Sequence, residues 1–385
     1  MLRSVPGLQW GHSGQKTNEN RQFVEAQMFA VVMCGGSGTR FWPASRQQRP
    51  KQFLNITGKG PMVVETCDRL RPLIQDEEMI LVLGKQHLKE ATRHFDGRRI
   101  HMLAEPVGRN TAPCIGLGAL YAAYLGCQGP VAFLPADHFI GDPATFLKDL
   151  GRAGDIAAQG GIVTVGIVPD RPETGYGYIR RDPELLETGT GMAYRVVEFV
   201  EKPDLETAVG YLSKGDYYWN GGIFVARPDT ILTEMETQMP ELYQGLMELK
   251  PTLGTNRFET VLKSVYDSLQ GISFDYGIME NTQAPVYVVP SACGWSDVGS
   301  WGSLYALRTD EYDARRNLCE GDAILVDCEQ GFVSAKGGRT IACLGLRNCL
   351  VVDTPDALLV ADQDRCQDIR KVVELLKGKG REKLL

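Results

Sequence analysis

Long apolar runs and paired cysteines are missing from the sequence. The 385-residue chain contains no stretch of about 18 apolar residues, so no membrane-spanning helix is expected. Its ten cysteines form no Cys-x-x-Cys pair, and Cys34, Cys343 and Cys349 lie in apolar runs. A free thiol packs there as a small hydrophobe, and reduced thiols are usual in the cytosol. We therefore expect a cytoplasmic protein that makes no contact with a membrane.

An excess of positive charge is also missing. The chain has 41 Lys and Arg residues against 48 Asp and Glu, which gives a formal net charge of −7. Proteins that bind nucleic acids generally show a basic stripe or patch, so we expect no nucleic-acid partner. A local cationic pocket for phosphates remains compatible with this overall charge.

Residues 1–27 differ from the rest of the chain. They are polar, contain Gly7, Gly11 and Gly14, and lack the apolar core of a signal peptide. We expect a disordered extension, or sequence upstream of a true start at Met28, and exclude it from the fold.

The pattern of residues 28–315 predicts one large α/β domain. Short apolar runs alternate with helical patterns at 29–34, 79–84, 99–105 and 130–137. Strands that are apolar throughout and alternate with helices predict a doubly wound, mostly parallel, Rossmann-like sheet with helices on both faces. Further strands between 162 and 300 are expected to make the sheet mixed. A helix is expected from Trp301 to Arg315.

Residues 316–385 predict a small second module. Between 321 and 361, short apolar runs recur every 8–10 residues with Gly, Asp or Asn between them. This spacing is typical of an all-β module or a β-helix-like solenoid. A charged amphipathic helix is expected from Cys366 to Lys379.

A glycine-rich segment, "GGSGTR" (35–40), follows the first predicted strand. Its glycines allow backbone N–H groups to converge on an anion, and Arg40 adds a full positive charge. The segment lacks the Gly-Lys-Ser/Thr of a Walker P-loop and the third glycine of the dinucleotide fingerprint. A plain tight turn is the structural alternative. The residues expected to bind a nucleotide here are Gly35, Gly36, Gly38 and Thr39.

Lys51 lies eleven residues after Arg40, in "PKQ". It follows a proline-restricted turn and supplies a second cation. Two cations beside a glycine cradle suit a triphosphate better than a single phosphate.

Residues 35–52, "GGSGTRFWPASRQQRPKQ", resemble the opening signature of the sugar-nucleotide pyrophosphorylase family. Six later segments look like the mannose-1-phosphate guanylyltransferases within that family, and the match runs from about Phe29 to the C-terminus. These segments are "EPVGRNTAP" (105–113), "PADH" (135–138), "GYGYI" (175–179), "FVEKP" (199–203), "FDYGIME" (274–280) and "GWSDVGSW" (294–301).

The resemblance implies a nucleotidyltransferase that uses GTP and mannose 1-phosphate. The sugar phosphate would attack the α-phosphorus in line, and pyrophosphate would leave. Arg40 and Lys51 would hold the β- and γ-phosphates, and Lys202 would hold the sugar phosphate. The alternatives left open are a uridylyl- or adenylyltransferase for another hexose 1-phosphate, and a non-catalytic regulatory subunit.

Two aspartates from distant parts of the sequence are candidate metal ligands. Asp137 ends the fourth predicted strand, where open α/β sheets place ligands, and Asp297 lies in a glycine-bounded loop. Capping and turn roles are the structural alternatives. Two carboxylates completed by phosphate oxygens and water suit Mg²⁺, and the resemblance favours this role for both. His138 is expected to be structural.

Glu105 and Asn110 are the candidates for reading the base. Guanine offers N–H donors on its Watson–Crick edge, which a carboxylate can accept. Asn110 is also a candidate N-cap for a helix that begins at Thr111, and the two roles can coexist.

The sugar is expected to bind in the second half of the domain. The segment "NGG" (220–222) departs from the Asn-Ser-Gly that is more usual in the family it resembles. Asp275 is interpreted as a helix cap rather than a ligand. The residues expected to bind the sugar phosphate are Tyr176, Gly177, Glu201, Lys202, Asn220 and Gly221.

Some relatives are fused to a sugar-phosphate isomerase. Because this chain has no room for such a domain after the β-module, transferase activity alone is expected. A homodimer is compatible with the resemblance.

Overall fold

A computed structural model describes residues 27–36, 38–188 and 191–385. The predicted extension at 1–27 lies outside the described residues, apart from Gln27. The strands of the large domain are β1 (Phe29–Cys34), β2 (Met79–Gly84), β3 (His101–Glu105), β4 (Val131–Pro135), β5 (Phe139–Ile140), β6 (Ile162–Ile167), β7 (Tyr178–Thr188), β8 (Gly191–Val200), β9 (Tyr217–Ala226), β10 (Val286–Ser291) and β11 (Trp295–Ser296).

Nine of these strands form one twisted sheet in the described part of the chain. Their order is β3-β2-β1-β4-β9-β6-β10-β8-β7, and β5 pairs with β11 in a separate two-stranded ribbon. The strands β1 to β4 run parallel, as do β6 and β10, whereas β8 and β9 run the other way. The expected mixed, mostly parallel sheet is confirmed.

Ten α-helices lie within the described ranges, and none is both long and apolar enough to cross a bilayer. They are α1 (Met62–Leu70), α2 (Leu88–His94), α3 (Thr111–Tyr124), α4 (Pro143–Ala158), α5 (Leu205–Lys214), α6 (Pro228–Gln238), α7 (Pro240–Leu249), α8 (Phe258–Ser268), α9 (Trp301–Leu307) and α10 (Ile369–Gly378).

The helices cover both faces of the sheet. Val32 and Leu81 point into one core with α1, α2, α4 and α5, while Val31 and Ile80 point into another with α3 and α6–α8. Because successive strand residues face opposite sides, strands buried on both faces must be apolar throughout, as the sequence shows.

The helix after Trp301 is shorter than expected. It ends at Leu307 rather than Arg315, and a 3-10 turn (Thr309–Glu311) follows. Beyond it, the Asp313 carboxylate accepts from the Arg315 and Asn317 N–H groups, and this turn is incompatible with a continuing helix.

The C-terminal module is a stack of short parallel strands. Among its strands, β12-β14-β16 and β13-β15 pair in parallel, as in the coils of a β-helix, and β17 returns antiparallel to β16. A 3-10 turn (Gln363–Asp368) leads into α10. The strands are β12 (Leu318–Gly321), β13 (Ala323–Val326), β14 (Phe332–Ala335), β15 (Ile341–Leu344), β16 (Cys349–Asp353) and β17 (Leu358–Asp362).

A third hydrophobic core joins this module to the glycine-rich segment. Phe41 and Trp42, which follow the glycines, pack with Val298 and Trp301. The Trp301 ring lies 5.0 Å from the Phe41 ring and 5.6 Å from the Phe332 ring of β14. The module is thus part of the surroundings of the glycine-rich segment.

Candidate active site

The glycine-rich turn begins where β1 ends, at the carboxyl edge of the parallel strands. The buried side-chain amide of Gln52 donates to the Cys34 carbonyl at 2.9 Å, which holds the start of the turn. Gly36 has a positive φ of 87°, and open space surrounds Gly35 and Gly36. Ser37 lies outside the described residues. The start of the turn is therefore fixed, while its glycines leave room for a ligand.

Gly38 allows the turn to pack against Lys51. Its φ is +58°, and a Cβ at this position would lie 2.6 Å from the Lys51 Cβ and 2.8 Å from the Lys51 nitrogen. Any side chain here would collide with backbone, so the two cation-bearing segments can approach each other only because residue 38 is glycine. Thr39 then starts a 3-10 turn that ends at Phe41.

The Lys51 ammonium connects the two candidate metal loops. Lys51 is 5% exposed, and its Nζ donates to the Asp137 carbonyl at 2.8 Å, to Asp137 Oδ2 at 3.0 Å and to the Asp297 carbonyl at 2.5 Å. An ammonium has three donors, and all three are used. Because these three hydrogen bonds are all made within the protein, the expected contact of Lys51 with the β- and γ-phosphates stays a prediction.

Asp137 lies two residues beyond β4, and its side chain is 29% exposed. Burial alone would raise the pKa of Asp137, but the Lys51 ammonium outweighs it and lowers that pKa below its ordinary value. The next residue, His138, accepts at Nδ1 from Trp295 Nε1 at 3.0 Å, and burial lowers its pKa to about 4. A neutral, packed ring agrees with the structural role expected for His138.

Asp297 is held by a tyrosine and a strained loop. Its Oδ1 accepts from the Tyr176 hydroxyl at 2.8 Å and from the Gly299 N–H at 3.1 Å. Val298, between Asp297 and Gly299, has a φ of +43°, which is rare for a β-branched residue and strains the backbone. Burial and the Asp297 carboxylate raise the pKa of Tyr176, so its hydroxyl stays a donor.

The described residues contain no group of three or more His, Cys, Asp or Glu side chains that could hold a metal ion alone. The Asp137 carboxylate and the Asp297 backbone carbonyl nevertheless accept from the same Lys51 ammonium, so the two loops meet here. Two carboxylates of this kind fit Mg²⁺, which takes oxygen ligands and completes its shell with water and substrate phosphates.

Arg40 lies beside the Asp297 loop. A Cβ at Gly299 would lie 3.3 Å from Arg40 Nη1 and 2.6 Å from Asp297 Oδ2, so glycine leaves room for both side chains. Arg40 Nη1 also donates to Gln367 Oε1 at 3.2 Å. The arginine thus reaches from the glycine-rich turn to the Asp297 loop and the C-terminal module.

Glu201 and Lys202 form an ion pair directly after β8. The Glu201 side chain is 10% exposed, and a Cβ at Gly177 would lie 2.5 Å from its Oε2. Gly177 therefore makes room for this carboxylate. Lys202 has a φ of +48°, an uncommon backbone for a lysine, and this strain is of the kind found at functional sites.

Asn220 is hydrogen-bonded to Asp275. Its Nδ2 donates to Asp275 Oδ1 at 2.7 Å, and its Oδ1 accepts from the Gly222 N–H at 3.0 Å. The interpretation of Asp275 as a helix cap was wrong, because its side chain faces Asn220 within a short π-helix (Asp275–Met279). Burial, and secondly Glu201, raise the pKa of Asp275. A Cβ at Gly221 would lie 3.3 Å from the Val165 carbonyl oxygen.

Glu105 is the last residue of β3 and is 5% exposed. Its Oε1 accepts from the buried Tyr266 hydroxyl at 3.1 Å, and burial raises its pKa to about 7 despite that hydrogen bond. Asn110 has the predicted capping position, since α3 begins at Thr111 and the Asn110 side chain accepts from the Thr111 N–H.

Comparison with known proteins gives consistent matches over these residues. Residues 29–313 match the nucleotidyl transferase family model, and residues 321–376 match the mannose-phosphate isomerase/GMP-like β-helix domain. The chain is 40% identical over 360 residues to the mannose-1-phosphate guanylyltransferase RfbM of Salmonella typhimurium, covering 91% of this chain and 73% of the relative. It is 38% identical over 364 residues to a mannose-1-phosphate guanylyltransferase of Escherichia coli K12, covering 93% and 75%.

The chain belongs to the mannose-1-phosphate guanylyltransferase family of nucleotidyl transferases.

A solved structure agrees with this membership. The crystal structure described as mannose-1-phosphate geranyltransferase from Thermus thermophilus superposes with a TM-score of 0.81 at 35% identity, over 91% of this chain and 99% of that one. Enzymes of the nucleotidyl transferase family generally use a divalent metal ion. The α/β fold with a β-helix-like module, which the sequence pattern predicts, is therefore shown.

The structure brings most of the expected site residues together at one edge of the sheet, but three contributors were not predicted from the sequence. Gln52 holds the end of β1, Tyr266 holds Glu105, and Gln367 contacts Arg40. The "PKQ" string could have drawn attention to Gln52. Tyr266 and Gln367 lie 161 and 327 residues from their partners, and no local pattern predicts such contacts.

Proposed function

We propose that the protein transfers GMP from GTP to α-D-mannose 1-phosphate, which yields GDP-mannose and pyrophosphate. The main support is that one buried ammonium, Lys51, donates to both Asp137 and the Asp297 backbone. These residues come from opposite halves of the domain. Their loops meet beside the glycine-rich turn, where two phosphorylated substrates can be held against each other.

The nucleotide wall of the site consists of the Gly35–Arg40 turn, Lys51, Glu105 and Asp137. Open space around Gly35 and Gly36 leaves room for a triphosphate to approach the backbone, and Arg40 adds a guanidinium that matches phosphate geometry. The Glu105 carboxylate accepts from the guanine edge in its ionised form, with Asn110 nearby as the helix cap. This wall binds GTP before the transfer.

The sugar wall consists of Glu201, Lys202, Asn220 and Asp275. Its two carboxylates and one amide converge, and they are linked by the Asn220–Asp275 hydrogen bond and the Glu201–Lys202 ion pair. Carboxylates accept hydrogen bonds from sugar hydroxyls, and the lysine neutralises the sugar phosphate. Asp275 therefore joins the residues proposed to bind mannose 1-phosphate, whereas Tyr176 acts by holding Asp297.

The transfer needs no protein nucleophile. The phosphate of mannose 1-phosphate is mostly dianionic above its second pKa of about 6, so one of its oxygens attacks the α-phosphorus of GTP. The bond from the α-phosphorus to the bridging oxygen breaks, and pyrophosphate leaves with the electron pair. Mg²⁺, bound by Asp137 and Asp297 with phosphate oxygens, would supply charge neutralisation for this step. The protein's task is to align the anions.

A substrate matrix tests this proposal. The full chain is incubated with Mg²⁺, each of GTP, ATP and UTP, and either mannose or glucose 1-phosphate, and pyrophosphate release is measured. Fastest release with GTP and mannose 1-phosphate supports the proposal. Preference for UTP or ATP with glucose 1-phosphate would overturn it. The homodimer and the cytoplasmic location stay predictions, which the mass in solution and fractionation of cells would test.

A further inference from the structure

Residues 40–47, at the end of the glycine-rich turn and just after it, are hydrogen-bonded to the C-terminal module at four places. Arg40 donates to Gln367 at 3.2 Å, and this contact joins a proposed phosphate-binding group to the turn before α10. The other three contacts are Trp42 Nε1 to the Leu384 carbonyl at 2.8 Å, the Gln47 N–H to the Leu385 carbonyl at 2.8 Å, and Arg46 to Asp356 at 2.9 Å.

Gln367 is exposed, but its backbone is anchored. Its neighbours Cys366 and Ile369 are 3% and 2% exposed and belong to the third hydrophobic core. Cys366 packs against α9, where a Cβ at Gly302 would lie 3.8 Å from its sulfur. Since α9 starts four residues after Asp297, the core that fixes Gln367 also fixes the metal loop.

Arg40 receives contacts from both of these fixed elements. Its Nη1 lies 3.3 Å from the Cβ position of Gly299 and 3.2 Å from Gln367 Oε1. Gln367 is a neutral acceptor, so its hydrogen bond orients the guanidinium without cancelling its charge. A guanidinium has five N–H donors, and this hydrogen bond uses one of them.

We propose that Gln367 is a positioning residue for Arg40, and that the C-terminal module thereby takes part in binding the triphosphate. The inference rests on the proposed role of Arg40 toward GTP. A neutral amide is required at position 367, because a carboxylate there would form an ion pair with Arg40 and compete with the triphosphate.

The test compares Gln367→Glu, Gln367→Ala and Arg40→Ala with the double variant Arg40→Ala/Gln367→Glu. For each protein, kcat and the KM for GTP are measured at constant ionic strength. Gln367→Glu is expected to raise the KM for GTP about tenfold, the effect of one charge-assisted hydrogen bond, and Gln367→Ala about threefold. In the Arg40→Ala background, the added carboxylate is expected to change the KM by less than about twofold, because no guanidinium is left to capture.

Lys377→Gln is the matched control. It makes the same change of one charge unit at an exposed position of α10, and its KM for GTP is expected to match that of the unmodified protein. If Arg40→Ala leaves the KM for GTP unchanged, the proposed role of Arg40 fails together with this inference. If Arg40→Ala raises the KM but Gln367→Glu does not, or raises it equally in both backgrounds, only the role of Gln367 is overturned.

Discussion

The proposed nucleotide wall and the proposed sugar wall are built by different means. Backbone contacts and burial fix the first, since Gly38 abuts the Lys51 backbone and Gln52 holds the Cys34 carbonyl. Side chains that hold one another form the second, as in the Asn220–Asp275 pair. Every NTP carries the same triphosphate, so a rigid binding surface is suitable for it. The choice of sugar depends on side chains, which differ from one sequence to another.

Asp297→Asn tests whether the walls form one site, and the largest effect is expected here. Asp297 lies in the sugar-side half of the sequence, yet it is proposed to serve the phosphates. Loss of the charge is expected to lower kcat about a thousandfold, equivalent to about 4 kcal/mol of transition-state stabilisation. Pyrophosphate release with GTP and mannose 1-phosphate measures it.

Tyr176→Phe is a milder change that affects the same Asp297 carboxylate. It keeps the carboxylate and removes only the donor that orients it, so a decrease of about tenfold is expected. A kcat for Asp297→Asn above a tenth of the original value, in a protein with unchanged melting temperature, would contradict the metal assignment.

Lys51→Met tests the rigidity of the nucleotide wall. It removes a buried ammonium bonded to three oxygens and leaves Asp137 without its counter-charge, so the free energy of unfolding is expected to fall by about 2–4 kcal/mol. Urea denaturation measures this, with the exposed Lys59→Met as a control within about 0.5 kcal/mol.

The pH dependence of that loss follows from Asp137. Its pKa is lowered in the folded protein, so the ion pair stabilises the fold above the unfolded pKa of about 3.9, and this contribution is lost only at lower pH. In Lys51→Met the ammonium is gone and burial raises the pKa of Asp137, so the variant loses stability as the pH rises above about 3.9. The difference between the original protein and Lys51→Met should therefore increase with pH until Asp137 of the variant is ionised. A difference that decreases as the pH rises would show that another group is responsible.

Much of the nucleotide wall could be predicted from the sequence, and less of the sugar wall. β1 and β2 have the expected bounds because a strand buried on both faces needs a continuous apolar run. The role of Asp275 could not be predicted, since capping depends on local sequence whereas its contact with Asn220 spans 55 residues. The Gln367–Arg40 contact depends in the same way on how the third core packs.

Asp275→Asn tests whether the sugar wall can be altered without affecting the nucleotide wall. An asparagine can still accept from Asn220, but it offers a weaker acceptor to a sugar hydroxyl. The KM for mannose 1-phosphate is expected to rise about tenfold, while the KM for GTP changes less than about twofold. Glu280→Gln, at an exposed position just after the same π-helix, is the control. Equal changes in both KM values would show that the two walls are not separable.

The smallest expected effect concerns pH and Glu105. Burial raises its pKa to about 7, so the carboxyl is increasingly protonated below pH 7 and then accepts poorly from guanine. The KM for GTP should fall about threefold between about pH 6 and pH 8. Glu105→Gln should lack this change, and its profile also corrects for titration of the substrates. Parallel profiles in the two proteins would remove Glu105 from base recognition.

The central claim is that Asp137 and Asp297, from opposite halves of the domain, hold one metal ion. Mn²⁺ binding in the presence of a non-hydrolysable GTP analogue, followed by electron paramagnetic resonance, tests it in the original protein, Asp137→Asn, Asp297→Asn and the double variant. A shared ion predicts that each single variant binds much more weakly and that the double variant is little worse than either. Independent, additive losses, or unchanged binding in one single variant, would contradict the account.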